Sequence, residues 1–132
     1  MEELFRSLDA DFDEVRRQLL VDDSDGIRAE HVVSRLDTAP PHTLVVIDYL
    51  QLLDERRDKP SLMEQLRDLK SFAQHRKAIV LCLSQIDRRY DPTMRPCPDV
   101  RDIRMPNPLD PALFDRTCFL GRGRMRITPR HS

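Results

Sequence analysis

The chain has 132 residues, 39% hydrophobic and 34% charged, with a net charge of -1. That length suits one domain with a moderate core, and the composition excludes the disordered class. No apolar run approaches the roughly 18 residues that a membrane helix needs, so a membrane protein is excluded as well. The small net charge hides a division: residues 1–60 carry 8 Lys+Arg against 15 Asp+Glu, and residues 61–132 carry 14 against 8. The basic second half is where anion contacts are sought.

In chain order, Leu4, Leu8, Phe12, Val15 and Leu19 recur every three or four residues and predict one helix over most of residues 2–18. The acidic, amphipathic start "MEELFRSLDADFDE" has no apolar export core, and a cytoplasmic location is expected. "QLLVDDSDG" reads as a short strand entering an Asp/Ser/Gly turn, followed by a helix from about Ala29 to Leu36 that Pro40 and Pro41 end. "TLVVIDYLQLL" places an apolar run directly before Asp48, the pattern of a strand buried on both faces with an acid at its carboxyl end. In α/β sheets that is where ligands bind.

Ser61 and Glu64 have capping-box spacing ahead of Leu62, Leu66, Leu69 and Ala73, which predicts the next helix. "AIVLCLSQ", residues 78–85, reads as a second buried strand, so strand, helix and strand form a βαβ unit with parallel strands. Residues 87–115 are rich in Pro and Arg, a length of loop that signals either function or disorder. "RTCFL" and "RMRIT" read as two last strands, separated by Gly121 and Gly123.

The residues offer few other chemistries. Cys82, Cys97 and Cys118 lack CxxC spacing and read as structural thiols, and His31, His42, His75 and His131 are scattered without a nucleophile or metal-ligand spacing. Taken by themselves, Asp48 reads as a strand-end acid capping a turn and Gln85 as a satisfied core amide.

"LLVDDSDG", "TLVVIDYLQLL", "LCLSQIDRR" and "PDVRD" follow one another as in the RecA-like C-terminal domain of replicative DnaB-type helicases, which the chain resembles over about residues 15–104. The resemblance implies an α/β fold, a partial RecA-like three-layer sandwich of the P-loop NTPase type around a mainly parallel central sheet, with residues 1–132 as one truncated domain. It implies that Asp48 is the Walker B acid, holding the magnesium of ATP through water, and that Gln85 senses the terminal phosphate. Arg88, Arg89, Arg95, Arg101 and Arg104 then lie where the family's DNA loops arise. Arg122 and Arg124 fall near the family's arginine finger, although its Lys-x-Arg-Asn-Gly pattern is not reproduced.

No G-x-x-x-x-G-K-[ST] occurs: the glycines are Gly26, Gly121 and Gly123, and none precedes Lys. The sequence thus reads as the Walker B half of a motor domain, expected to bind protein or DNA without hydrolysing ATP alone. The alternative is half of a split or fragmentary helicase with its P-loop on another chain. ATP and magnesium are implied by the resemblance, and none is expected for the isolated chain. Expected partners are a second copy, a helicase or replication protein, and weakly bound DNA. Without the strand that precedes a P-loop, residues 116–120 are expected to close inward onto residues 78–85, or a second copy to cover that edge.

Overall fold

The computed structural model describes residue 6 and residues 11–54, 60–104 and 109–129. Leu4 and Leu8 of the N-terminal stripe lie outside the described residues. The rest of that stripe does not continue one helix. Asp11 has extended backbone (φ -78°, ψ 107°), and its carboxylate accepts from the main-chain N–H groups of Asp13 and Glu14, which starts a new helix, α1, at Phe12–Gln18. A short acidic side chain that satisfies two helix-start amides favours a cap over helix continuation. The strand expected after it is not formed, because Leu19–Val21 has no ladder neighbour among the described residues and stays exposed.

Asp22 then fixes a turn by accepting from the N–H and hydroxyl of Ser24, and it ties that turn to His31 and Arg35 of α2, Ala29–Arg35. β1, Leu44–Ile47, is followed by a 3-10 turn at Leu50–Asp54 and by α3, Leu62–Arg76. The Ser61/Glu64 capping box forms as its spacing predicts, and α3 ends at Lys77, whose φ of 53° is left-handed. β2, Ile79–Cys82, is shorter than the predicted strand and pairs parallel with β1 from Leu44↔Ile79 to Ile47↔Cys82.

The core gathers Ala29, Ile47, Leu50, Leu53, Leu62, Leu66 and Leu69 against one face of this sheet. Burying each Leu or Ile contributes about 1.5–3 kcal/mol. The expectation of strands buried on both faces is corrected here: Leu44, Val46, Ile79 and Leu81, the alternate residues of both strands, are exposed. The described residues cover only one side of the pair, so they form two layers.

The Pro- and Arg-rich stretch is ordered at its base. Ile86 and Ile103 form an antiparallel bridge, Asp87 N–H donates to the carbonyl of Asp102 at 2.6 Å, and Arg104 N–H donates to that of Gln85 at 3.0 Å. The chain closes with a hairpin of β3, Thr117–Gly121, and β4, Arg124–Thr128. Its two-residue turn, Arg122–Gly123, has φ of 43° and 73°, the doubly positive pattern of a type I′ turn.

The expected inward closure does not occur: among the described residues β3 pairs only with β4, and the two sheets are separate. The hairpin is held elsewhere, on the Pro-rich loop. Arg126 Nη2 donates to the Pro98 carbonyl at 3.1 Å, and the Cys97 thiol donates to that of Phe119 at 3.6 Å. No helix among the described residues is long and apolar enough to cross a membrane.

Candidate functional site

A parallel strand pair ends with both chains leaving the sheet side by side. Here Leu83 N–H donates to the Ile47 carbonyl at 2.9 Å, and Leu50 N–H donates back to the Leu83 carbonyl at 2.7 Å. Asp48 therefore stands at the carboxyl end of β1, beside the segment that carries Ser84 and Gln85. The Asp48–Tyr49 peptide is cis. Asp48 is exposed, and its carboxylate meets no hydrogen-bond donor or cation among the described residues. The capping alternative is thereby unsupported.

The floor of the site is tied together by amides. Gln51 Nε2 donates to Ser84 Oγ at 3.0 Å and to the Arg104 carbonyl at 2.6 Å. Gln85 is exposed rather than a core amide, and its Oε1 accepts from Arg104 Nη1 at 3.3 Å. Arg104, expected in a DNA loop, thus sits at the strand ends, where its cation faces Gln85.

Among the described residues no group of three or more His, Cys, Asp or Glu gathers to hold a metal. A lone carboxylate fits magnesium, which keeps most of its waters and takes one or two carboxylates plus phosphate oxygens. One exposed carboxylate at these strand ends is fewer ligands than an all-protein cage requires. A phosphate cradle has no counterpart in these residues, so the fit to a nucleotide is half complete.

The remaining loop arginines are mostly engaged within the chain. Arg95 binds Asp102 through Nη2 at 2.6 Å and Asp99 through Nη1 at 2.9 Å, and stacks over Tyr90 with 5.5 Å to the ring centroid. Arg101 pairs with Asp99 at 2.6 Å, and Arg89 grips Asp87 with Nε and Nη2. Hydrogen bonds from Arg89 lower Asp87 to about 2, those from Arg101 hold Asp99 far below the ordinary carboxylate range, and those from Arg95 lower Asp102. Arg88 alone of these loop arginines is exposed with no partner among the described residues. Arg122 and Arg124 occupy the exposed turn end of the hairpin.

Two features escaped the sequence reading. The Asp99 and Asp102 pair forms a capping box around residues 100–102, with Asp99 N–H donating to Asp102 Oδ2 at 2.8 Å, and the i, i+3 spacing inside "PDVRD" was its signal. Gln65, only 2% exposed, has no sequence signal at all. Its Oε1 accepts from Ala29 N–H at 3.0 Å, and its Nε2 donates to the carbonyls of Leu53 at 2.6 Å and Pro60 at 3.0 Å.

No curated protein and no solved structure matches the chain. The model of the DnaB-like helicase C terminal domain matches residues 2–111, a wider span than the quoted motifs cover. That match takes in β1, Asp48, α3, β2, Gln85 and the arginine loop together, and the chain belongs to the DnaB-like helicase C-terminal domain family, whose fold is RecA-like.

Proposed function

We propose that residues 1–132 form one helicase-related unit carrying the Walker B and sensor half of a RecA-like, three-layer motor domain, and that by itself it binds protein or DNA without hydrolysing ATP. The observation that supports this reading is the exposed Asp48 carboxylate, without a partner among the described residues and one strand away from Gln85, at the carboxyl ends of β1 and β2. Magnesium bound with ATP supplies neutralisation of phosphate charge in this family of reactions. Asp48 would hold it through water, and Arg104 would orient the Gln85 amide. No hydrolytic step is assigned, because no cradle of consecutive amides for the phosphates is present in these residues.

Calorimetry with ATP, with and without magnesium, together with a phosphate-release assay on the purified chain, tests the proposal. No turnover is expected. Hydrolysis that disappears in Asp48→Ala would overturn it.

A second reading, half of an ATP-dependent helicase whose cradle lies on another chain, draws support from the outer edge of β2, which has no strand beside it among the described residues. Mixing with a cradle-bearing chain would then restore magnesium-dependent turnover. For DNA, Arg88, Arg122 and Arg124 are exposed cations outside the loop's ion pairs, and no aromatic ring stacks on them among the described residues. Binding is expected to be weak, independent of base sequence and steeply lost with salt. Affinity indifferent to salt, or to Arg88→Ala, would remove the DNA arm.

A further inference from the structure

In β2 the main chain alternates in direction. Ile79 N–H donates to the Thr43 carbonyl at 2.9 Å and Leu83 N–H to that of Ile47 at 2.9 Å, so these residues turn toward β1. Val80 and Cys82, one residue out of step, turn their N–H and C=O groups the opposite way, and β1 is the only strand that pairs with β2 among the described residues. This edge is only partly screened from water. It is one wall of a cleft of about 530 Å³, whose other walls include Leu66, Leu69 and Ala73 of α3 together with Leu113 and Phe114. Desolvation there is enough to push the Cys82 thiol up to about 11. Main-chain donors and acceptors held in a half-dry apolar cleft invite another strand, which would satisfy them.

The same chain presents a segment with matching chemistry. Leu19, Leu20 and Val21 are 65%, 76% and 74% exposed, pair with no strand among the described residues and do not line the cleft beside β2. Asp22 and Asp23 follow directly, and Asp22 anchors the segment to α2 through His31 and Arg35. On the receiving side Lys77 lines the cleft just before β2 begins, and Arg116 lines it too. The acids lie after the apolar tripeptide and the lysine lies before β2, so only an antiparallel arrangement brings Asp23 to Lys77.

We infer that the chain pairs with a second copy by adding Leu19–Val21 of each molecule, antiparallel, to the β2 edge of the other. The apolar tripeptide enters the cleft beside Val80 and Cys82, and Asp23 meets Lys77. Exchange in both directions gives a closed two-fold dimer. It joins the acidic half of one molecule to the basic half of the other. This inference is independent of any nucleotide chemistry at Asp48.

Sedimentation equilibrium of the full chain from micromolar to millimolar concentration is the test. A concentration-dependent doubling of mass is expected, with the dissociation constant raised at least about tenfold by Leu20→Asp, which alters an exposed side chain. Val80→Pro, which removes the outward N–H without removing an N–H of the β1 ladder, should act alike. Asp23→Lys and Lys77→Glu should each weaken the dimer, and together restore it.

Should Val80→Pro fail to fold, alkylation of Cys82 gives the same information: it should slow with protein concentration in the parent chain and not in Leu20→Asp. A monomeric mass throughout the range, a dimer that Leu20→Asp leaves unchanged, or Cys82 reactivity independent of concentration in the parent chain would overturn the inference.

Discussion

Replacing Gln65 by Leu preserves the size of a buried side chain while deleting all of its hydrogen bonds. Three main-chain groups lose a partner, and their surroundings differ. Ala29, whose N–H the amide receives, is 1% exposed, and Leu53, whose carbonyl it serves, is 0% exposed, so water reaches neither readily. The Pro60 carbonyl belongs to an exposed residue and can be rehydrated. A buried group left unsatisfied costs about 1–3 kcal/mol, so the two buried ones together cost about 2–6 kcal/mol. Leu no longer has to desolvate an amide, which offsets part of this, and the expected loss is about 2–5 kcal/mol. Against the 5–15 kcal/mol typical of a domain this is a large fraction. Urea unfolding followed by circular dichroism measures it, provided the slope with denaturant is unchanged. Hydrogen exchange at the Ala29 amide supplies a local readout, with protection expected to fall there first. A loss under about 1 kcal/mol, with the Ala29 amide still protected, would show that Gln65 does not staple α2 and the 3-10 turn to α3.

Asp48→Asn should change stability by less than about 0.5 kcal/mol, because the carboxylate is exposed and has no partner among the described residues; a large fall in melting temperature would make Asp48 a structural acid. Asp87, Asp99 and Asp102 all have lowered folded values, so the stability they contribute is fully present above the ordinary carboxylate range near 4 and is lost as pH falls through those values, about 2 for Asp87. Asp102→Asn should therefore be less stable at pH 7 and lose less on acidification, and parallel stability curves for the two proteins between pH 5 and 2 would contradict this. Gly121→Ala should loosen the hairpin by about 1 kcal/mol or more, since the new Cβ would lie 3.1 Å from both the Pro96 carbonyl oxygen and Pro98 Cδ. Gly123→Ala meets no atom within 4 Å and should cost only the roughly 1 kcal/mol of a left-handed alanine at φ 73°; a Gly121→Ala protein as stable as the parent would show that the Pro-rich loop does not hold the hairpin.

The features legible in the sequence are those set by neighbours along the chain. Ser61 and Glu64 cap α3 because a hydroxyl and a carboxylate three residues apart satisfy helix-start amides whatever surrounds them. The apolar runs before Asp48 and Ser84 gave parallel strands because a helix of that length between them leaves a crossover as the means of return. Asp48 was visible for the same reason, as the first polar residue after such a run. What depended on distant partners was not legible. The length of Leu19–Val21 reads as a strand, yet a strand exists only when another offers its edge, and none does among the described residues. Alternation told nothing of which sheet face α2 and α3 would cover, and the second face stayed bare. Arg95 and Arg104 looked alike as loop cations, but Asp99 and Asp102 captured the first while the bridge between Ile86 and Ile103 carried the second back to Gln85. Composition and spacing set which groups need partners; the packing of segments far apart in the chain decided which partner each one met.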